Sequence, residues 1–488
     1  MNKPVVWTIA GSDSSAGAGA QADLKTMESF GVHGCAIITA VTAQSVKTVH
    51  AVEPVSVGML DAQWDALRAH PPAAIKIGML RGAEQLQWLA ARLQEYPDVP
   101  VVCDPVLHAS DGSALQDASV RDIFMRELLP RVSVLTPNIP EAHWLLGAAV
   151  SATASVDELA RALQQAGAQA VLLKGGHAKD QRARDYFGTV SDAFWMVHAR
   201  LPGVIHGSGC IVASAMAAAM ALGYATDDAA VLARRYLNQG WRLAADGGAA
   251  EGFFVHAGWP CEPVDIPAVN ATGNTVRRAF PSLGVQPIGL YPVVDSAAWI
   301  RRLLPLGVST IQLRIKQQSP EFIAREVAES VALGRQYGAR VFINDHWQAA
   351  IEAGAYGVHL GQEDIEQADL DAMASAGLRL GLSNHSEREI ARAHALAPSY
   401  MALGPIYETT TKVMRFAPQG LARLNDWVRL LGKAYPLVAI GGIDRSRMQA
   451  VLATGVANVA VVRAITEAAD PSAAVRELQQ MLAVIGRQ

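Results

Sequence analysis

The sequence has few of the features that mark secreted, membrane-bound or nucleic-acid-binding proteins. It holds only 4 cysteines in 488 residues, with no CxxC pair or metal-ligand spacing, which indicates reduced thiols in a cytoplasmic protein. The net charge of −4 offers no basic excess for binding nucleic acid or an anionic membrane. The N-terminus does not read as a secretory signal, and the apolar stretch IVASAMAAAMAL is too short to span a bilayer.

The chain is long for one hydrophobic core, so we expect two or three domains. In the first half, short strand-like runs alternate with helix-like stretches. We predict strands at 5–10, 35–41, 74–79, 100–103, 132–135 and 170–174. This rhythm predicts an α/β fold with a mostly parallel sheet wrapped by helices, whose ligands lie at the carboxyl ends of the strands.

The second half shows a more regular repeat. Eight apolar runs, each followed by a helix-like stretch, are predicted as strands at 288–294, 310–315, 341–344, 357–361, 378–383, 400–406, 437–441 and 458–463. Eight such units predict a compact (β/α)₈ barrel, with its ligands on the loops that follow the strands. Residues 256–287 are proline-rich and lack periodicity, so we predict a linker between domains at 1–255 and 288–488.

Two acidic residues follow neighbouring strands of the predicted barrel. Asp345 and Asp364 lie 19 residues apart with a helix-length segment between them, and a strand–helix–strand unit returns the chain to the same rim. Two converging carboxylates suit a hard cation such as Mg²⁺ that holds substrate phosphates. Either residue alone would more often be a solvated loop acid, but the pair favours a metal site.

Cations, amides, hydroxyls and glycines follow the other barrel strands. Together they suit a phosphorylated ligand, because charged donors and free backbone N–H groups bind phosphate oxygens. The set comprises Gln312, Arg314, Lys316, Asn344, Ser383, Thr409, Thr411, Lys412, Gly441, Gly442, Val462 and Arg463. Since a single cation is more often a solvated charge, the prediction rests on the whole set.

Several motifs of this half occur together in one known family. QLRIK, IND, GVHLGQED, LGPIYETTTK, VAIGGI and VAVVRAI, in this order, make residues 288–480 resemble thiamine phosphate synthase, a TIM barrel that joins a pyrimidine methyl pyrophosphate to a thiazole phosphate. The resemblance implies that Asp345 and Asp364 hold Mg²⁺. It assigns pyrophosphate binding and catalysis to Arg314, Lys316, Asn344 and Lys412, the substrate pocket to Gln312, Ser383, Thr409 and Thr411, and the thiazole phosphate to Gly442 and Val462. Arg463 departs from the serine of the family motif.

The first half holds a glycine-rich helix start. In HGSGC, Gly207, Ser208 and Gly209 place free amides at a predicted helix N-terminus, which is a natural anion site. Cys210 would lie in the first turn, where the helix dipole lowers a thiol pKa. The alternative is a small buried cysteine in an alanine-rich packing helix.

Two further segments suggest a nucleotide-dependent reaction. AGSDSSAGAGAQADLK places small residues between a strand and a helix, without the GxxxxGK[ST] pattern of a Walker A loop. Asp104 in DPV and Glu141 in TPNIPEA could hold Mg²⁺ bound to nucleotide phosphates. Each acid alone would more often be a loop or cap residue.

Together with TAQS, KIGML and LLKGGH, these motifs make residues 4–245 resemble hydroxymethylpyrimidine (phosphate) kinase, a ribokinase-like α/β sandwich. The resemblance assigns pyrimidine contacts to Gly11, Asp23 and Gln44, Mg²⁺ to Asp104 and Glu141, the ATP side to Lys174, and an anion hole to Gly207, Ser208, Gly209 and Cys210, with Cys210 near the phosphoryl acceptor. Ser110 stands where the family often has lysine.

The two resemblances describe consecutive steps of thiamine biosynthesis, which favours a bifunctional transferase with Mg²⁺ as cofactor and ATP as co-substrate. Its expected partners are the small-molecule substrates, and the sequence is compatible with a homo-oligomer. Two alternatives remain for the first domain. It could resemble pyridoxal kinase, although Gln44 and Cys210 favour the pyrimidine. It could also be a degenerate domain that binds pyrimidine or regulates the synthase, as the Ser110 departure allows.

Overall fold

The computed structural model describes residues 3–46, 48–106, 118–176, 182–247, 252–274, 280–409 and 417–485. They form two compact units. One comprises Met1–Pro260 and Val264–Thr275, and the other comprises Cys261–Pro263 and Val276–Gln488. The division into domains at 1–255 and 288–488, with a linker at 256–287, stays a prediction.

The first unit is built on a ten-stranded sheet. Its strands are β1 (Val5–Asp13), β2 (His33–Gln44), β3 (Val49–Pro54), β4 (Ala74–Ile77), β5 (Val101–Cys103), β6 (Val134–Leu135), β7 (Ala170–Leu173), β8 (Arg182–Thr189), β9 (Ala193–Ala199) and β10 (Ala268–Asn270). They lie in the order β10-β9-β8-β7-β6-β5-β4-β1-β2-β3. The six neighbouring strands at the centre run parallel, namely β7, β6, β5, β4, β1 and β2. The remaining strands, β3 at one edge and β8 to β10 at the other, pair antiparallel with their neighbours. The predicted mostly parallel sheet is confirmed.

Helices connect these strands and bury their apolar faces in the core. They are α1 (Gly19–Ser29), α2 (Val57–Leu67), α3 (Gly82–Arg92), α4 (Ala118–Ile123), α5 (Ile139–Leu146), α6 (Val156–Gln165), α7 (Ser208–Ala221) and α8 (Thr226–Gly247). In α6, Leu159 and Leu163 are buried on one face, and Ser155 with Glu158 forms a capping box at its start. Such local agreement of pattern and cap explains why this segment is helical.

The antiparallel strands were missed by the sequence-based prediction. β8, with the sequence RARDYFGT, mixes charged and apolar residues, so no continuous apolar run marks it. β10 comes from the proline-rich segment that we expected to be a linker, where Val269 is buried and Ala268–Asn270 pair with β9. Part of that segment is therefore held by the sheet of the first unit.

The second unit is a closed barrel of eight parallel strands, as predicted. The strands are β11 (Leu290–Val294), β12 (Thr310–Leu313), β13 (Arg340–Asn344), β14 (Gly357–Leu360), β15 (Arg379–Asn384), β16 (Tyr400–Leu403), β17 (Leu437–Ala439) and β18 (Asn458–Val461). Pairing of β11 with β18 closes the ring. Its helices are α9 (Ala297–Leu303), α10 (Pro320–Tyr337), α11 (Trp347–Ala353), α12 (Leu370–Ser375), α13 (Glu387–Leu396), α14 (Gly420–Leu431), α15 (Arg445–Leu452), α16 (Arg463–Thr466) and α17 (Pro471–Ile485).

Aromatic side chains fill the interior of the barrel. Tyr291, Phe342 and Tyr400 are buried and pack edge to face, with ring centroids 5.2–6.0 Å apart. The barrel interior is therefore a packed core and not a pore, and ligands are expected at the rim where the strands end. Among the described residues of both units, no helix is long and apolar enough to cross a membrane.

Candidate active sites

The barrel has a cavity of about 540 Å³ at the carboxyl ends of its strands. Many of the residues predicted from the sequence line it, namely Gln312, Arg314, Lys316, Asn344, Asp345, Asp364, Ser383, Thr409, Gly441, Gly442, Val462 and Arg463. Thr411 and Lys412 lie outside the described residues. The structure thus brings residues from separate βα loops to one site, and the volume suits a small organic ligand.

Asp345 and Asp364 converge in this cavity, and their carboxyl groups lie within hydrogen-bonding reach. Burial and the neighbouring Asp345 carboxylate raise the pKa of Asp364, because two negative charges in close contact repel each other. The Lys316 ammonium group forms an ion pair with the Asp345 carboxylate. Asp345 directly follows β13 and has φ +65°, a strained conformation for a residue with a side chain.

The donor set of the cavity fits Mg²⁺. Two carboxylates supply hard oxygen ligands, and Mg²⁺ usually takes its remaining ligands from water and substrate phosphates. No group of three or more histidine, cysteine or acidic residues that could hold a metal occurs among the described residues. The two carboxylates would therefore supply only part of the Mg²⁺ coordination, and substrate phosphates and water would supply the rest.

Glycines shape the other end of the cavity. Gly442 has φ +63°, and a Cβ added there would lie 2.4 Å from the carbonyl oxygen of Glu408. Arg447 donates to the carbonyl oxygen of Gly442 at 2.6 Å and stacks on Tyr407, its guanidinium carbon 4.8 Å from the ring centroid. These contacts hold the Gly442 loop close to the neighbouring strand end, while Arg463 lines the cavity with an exposed side chain.

His359 is a cavity residue that the sequence analysis missed. It lies on β14, where its Nε2 is 2.8 Å from Ser383 Oγ and its Nδ1 is 2.7 Å from Tyr400 OH. Burial lowers the pKa of His359 to about 4, so the imidazole is neutral near neutral pH. The sequence did contain a signal, because a histidine inside the apolar strand GVHL needs polar partners.

The first unit brings together four of its predicted residues. Lys174 Nζ donates to Asp104 Oδ1 at 2.7 Å, and a Cβ on Gly209 would lie 2.9 Å from that Nζ. Burial and the negative charge of Asp104 raise the pKa of Glu141 to about 7, although the positive charge of Lys174 opposes the shift. Although burial opposes it, Asp104 and Glu141 raise the pKa of Lys174. The site therefore joins two acids and a cation beside the glycine-rich start of α7; Ser110 lies outside the described residues.

The prediction for the Cys210 thiol was wrong in its direction. Gly207, with φ +75°, caps α7, which begins at Ser208, so Cys210 does lie in the first turn. The packing of protein around the thiol nevertheless raises the pKa of Cys210 to about 11, although Lys76 opposes the shift. Burial outweighs the helix end here, and the thiol is protonated near neutral pH.

Asp23 occupies a buried polar cluster. Its carboxylate accepts hydrogen bonds from Thr8 Oγ1 at 2.5 Å, Lys76 Nζ at 2.8 Å and Ser214 Oγ at 2.6 Å. Asp23 and Lys76 are both fully buried. The cluster ties β1, α1, β4 and α7 together, so Asp23 has a structural task whatever it contacts in a ligand.

Gln44 belongs to a second cluster that the sequence analysis missed. His206 Nε2 lies 3.2 Å from Gln44 Nε2 and 3.0 Å from Asp13 Oδ2. Asp13 also accepts from the backbone N–H of Ser15 at 2.9 Å and of Ala18 at 2.8 Å. Burial alone would raise the pKa of Asp13. The hydrogen bonds from His206, Ser15 and Ala18 outweigh burial and lower this pKa to about 2. The cluster joins the end of β1, where Gly11 also lies, to the end of β2 and the loop before α7.

Comparisons with known proteins agree with this geometry. The family profile Phosphomethylpyrimidine kinase matches residues 13–253, and the profile Thiamine monophosphate synthase matches residues 290–465. The chain is 56% identical over 207 residues to a thiamine-phosphate synthase of Salmonella choleraesuis, covering 42% of this chain and 96% of that protein. The chain belongs to the thiamine-phosphate synthase family. A second such relative, from Pectobacterium atrosepticum, is 56% identical over 197 residues, which cover 40% of this chain and 92% of the relative.

Solved structures similar to the first unit include a phosphomethylpyrimidine kinase from Clostridium difficile, 34% identical with a TM-score of 0.43, covering 49% of this chain and 99% of that one. A Staphylococcus aureus pyridoxal kinase in complex with ADP is 27% identical with a TM-score of 0.49, covering 55% and 98%. This thiamine-phosphate synthase family member thus carries a phosphomethylpyrimidine kinase domain as well and is a bifunctional transferase of thiamine biosynthesis. The kinase profile supports the pyrimidine over the pyridoxal interpretation. Kinases of the first family use ATP, and enzymes of both families typically use Mg²⁺.

Proposed function

We propose that the first unit uses ATP to phosphorylate 4-amino-5-hydroxymethyl-2-methylpyrimidine and then its monophosphate. The barrel then couples the resulting pyrimidine pyrophosphate to 4-methyl-5-(2-phosphooxyethyl)thiazole, which gives thiamine phosphate and pyrophosphate. The observation that carries the proposal is the barrel cavity, where paired carboxylates, cations and glycine amides converge. Such a set serves a reaction between two phosphorylated substrates.

The barrel reaction needs charge stabilisation and alignment more than a protein nucleophile. The electron-rich aminopyrimidine supports a methylene cation as pyrophosphate leaves, and the thiazole nitrogen supplies the electron pair for the new C–N bond. Arg314, Lys316, Asn344 and Lys412 bind the leaving pyrophosphate, which lowers the free energy of the charge-separated state. Asp345 and Asp364 would hold Mg²⁺, which neutralises pyrophosphate charge when bound.

The remaining barrel residues orient the substrates. Gln312, Ser383 and Thr409 line the pyrimidine side, while backbone N–H groups at Gly442 and Val462 receive the thiazole phosphate. For Thr411 the pyrimidine contact is the one that the family resemblance implies. The positive φ of Gly442 and its close approach to Glu408 leave no space for a side chain, so backbone can contact the phosphate directly. The exposed Arg463 adds positive charge near the same phosphate.

In the kinase, Gly207, Ser208 and Gly209 offer N–H groups to the transferred phosphoryl group, and Lys174 neutralises charge on the ATP side. Asp104 and Glu141 would hold the Mg²⁺ of the nucleotide, which balances phosphate charge when bound. The protonated Cys210 thiol can donate a hydrogen bond near the acceptor but cannot act as a base near neutral pH. Gly11 and Gln44 contribute to the pyrimidine side, and the fully buried Asp23 supports it by tying together the surrounding elements.

The test supplies hydroxymethylpyrimidine, thiazole phosphate, ATP and Mg²⁺ to the purified chain and measures thiamine phosphate by mass spectrometry. We expect product only when all four are present. A second candidate, a regulatory first unit without kinase activity, is raised by Ser110 in place of lysine. It predicts thiamine phosphate from ready-made pyrimidine pyrophosphate, but none from pyrimidine and ATP.

A further inference from the structure

Five polar side chains form a continuous chain of hydrogen bonds beneath the barrel cavity. Gln312 Nε2 donates to Tyr291 OH at 3.2 Å, and the hydroxyls of Tyr291 and Tyr400 are 2.8 Å apart. Tyr400 OH lies 2.7 Å from His359 Nδ1, and His359 Nε2 lies 2.8 Å from Ser383 Oγ. Gln312 and Ser383 line the cavity, whereas both tyrosines are buried in the barrel core. We call this the barrel relay.

The orientation of the Gln312 amide, with Nε2 facing Tyr291, sets the direction of the barrel relay. Each hydroxyl carries one proton, and a neutral imidazole carries one N–H. Because Gln312 donates to Tyr291, the Tyr291 proton is free for Tyr400, and the Tyr400 proton goes to His359 Nδ1. The only proton of the imidazole then lies on Nε2 and is donated to Ser383 Oγ. Each of the four contacts then pairs one donor with one acceptor.

We propose that Tyr291 and Tyr400 are positioning residues that hold His359 as the Nε2–H tautomer and so make the Ser383 hydroxyl a hydrogen-bond donor towards the cavity. Gln312, one of whose two amide N–H groups is used by Tyr291, presents its carbonyl oxygen as an acceptor. The proposal rests on the proposed function of the barrel and deepens it, since it assigns hydrogen-bonding character to two residues of the pyrimidine side.

The chemistry of the substrate matches this assignment. An aminopyrimidine offers an exocyclic amino donor next to a ring-nitrogen acceptor, so it needs one acceptor and one donor from the protein. A pyrimidine with an oxo group in place of the amino group needs the opposite pair. Reversing the relay requires the Gln312 amide, both hydroxyls and the imidazole to change together. The relay therefore couples the two ends of the recognition site and favours the amino form.

The first test reads the tautomer directly in the full-length protein without substrate. Histidine labelled with ¹⁵N is incorporated, and the His359 resonances are identified from the signals lost in His359→Asn. We expect the nitrogen shifts of an Nε2–H imidazole. An Nδ1–H imidazole in the wild-type protein would overturn the proposal, whether or not any variant folds.

The second test compares two tyrosine-to-phenylalanine changes. Tyr400→Phe removes the partner of His359 Nδ1, so we expect the tautomer balance of His359 to shift. Tyr435→Phe is the matched control, because Tyr435 OH contacts the Nδ1 of a different histidine, His394, at 2.9 Å and neither residue lines the cavity. It should leave the His359 signals unchanged. Unchanged His359 signals in a folded Tyr400→Phe protein would refute the role of Tyr400.

Kinetics separate this role from simple support of the fold. Tyr400→Phe should raise the KM for pyrimidine pyrophosphate on the order of tenfold, since a recognition pair is weakened, and leave the KM for thiazole phosphate unchanged. Its preference for the amino over the oxo pyrimidine should fall, whereas Tyr435→Phe should keep it. An equal rise in both KM values would overturn the assignment. A wild-type chain without synthase activity would instead refute the proposed function, while the tautomer measurement would still decide the relay.

Discussion

Cys210 shows that the environment of a single side chain can reverse an expectation based on its place in a helix. The thiol lies in the first turn of α7, yet burial raises its pKa to about 11. A protonated thiol can support phosphoryl transfer only as a hydrogen-bond donor. The position of Cys210 was readable from GSGC, but its protonation depends on packing from other parts of the chain, which the motif does not contain.

This protonation state leads to a prediction for Cys210→Ala. The change should lower pyrimidine phosphorylation, by up to about 10²-fold, because one donor near the acceptor is lost. The ratio of variant to wild-type rate should stay constant from about pH 6 to about pH 9, since the thiol remains protonated throughout. Initial rates of ADP formation across this range provide the measurement. A ratio that changes around neutral pH would show a thiolate and contradict the raised pKa.

The buried Asp23–Lys76 pair predicts a large effect on stability. Asp23→Asn should reduce the free energy of unfolding of the first unit by about 3–5 kcal/mol, because a buried ammonium loses its countercharge. Glu28→Gln is the control on the same helix, where the exposed Lys3–Glu28 pair should contribute less than about 1 kcal/mol. Urea unfolding of both variants gives the comparison, and equal midpoints would refute the structural task of Asp23.

At the scale of single residues, sequence reasoning found side chains that follow strands in short motifs, such as Asp345 and Asp364. It missed Tyr291 and Tyr400, which lie within strands and whose hydroxyls meet only once the barrel closes. Their separation along the chain leaves no local signal. Contacts between distant strands depend on the closure of the whole barrel, which no local motif contains.

Among secondary-structure elements, continuous apolar runs were reliable guides and mixed runs were not. All eight barrel strands were predicted because parallel strands are buried on both faces and therefore read as apolar runs. β3 and β8 to β10 carry polar residues among the apolar ones and pair antiparallel, so their pattern resembled loop sequence. Burial on both faces, rather than strand formation itself, is what the sequence reveals.

The loop after β17 supplies a prediction at this scale. Gly442→Ala should raise the KM for thiazole phosphate, because the added Cβ would meet Glu408 and displace the loop from its phosphate-binding position. Gly338→Ala is the control. Gly338 has nearly the same φ, +64°, but an added Cβ there meets nothing within 4 Å. Both changes introduce backbone strain of about 1 kcal/mol or more. Synthase kinetics with ready-made pyrimidine pyrophosphate should therefore separate the contact with Glu408 from backbone strain alone. Equal KM values for thiazole phosphate in the two variants would refute a binding role for the loop.

In the whole molecule, each unit has its own candidate metal residues, so the two activities should be separable. Asp364→Ala should nearly abolish thiamine phosphate formation and raise the Mg²⁺ concentration needed for any residual activity, since one of two carboxylates is lost. With pyrimidine and ATP supplied, pyrimidine pyrophosphate should accumulate. Glu366→Ala is the matched control, because this acid lies in the same turn but does not line the cavity. Mass spectrometry of both products gives the measurement, and loss of kinase activity in Asp364→Ala would show that the units depend on each other.

The closeness of Asp345 and Asp364 makes the barrel site sensitive to both pH and Mg²⁺. Two carboxyl groups in hydrogen-bonding reach retain a proton more readily than either would alone, as the raised pKa of Asp364 reflects. Protons and a cation compete for the same carboxylate oxygens, so protonation of this pair opposes Mg²⁺ binding. Acidification and magnesium starvation therefore act on the final coupling step in the same direction.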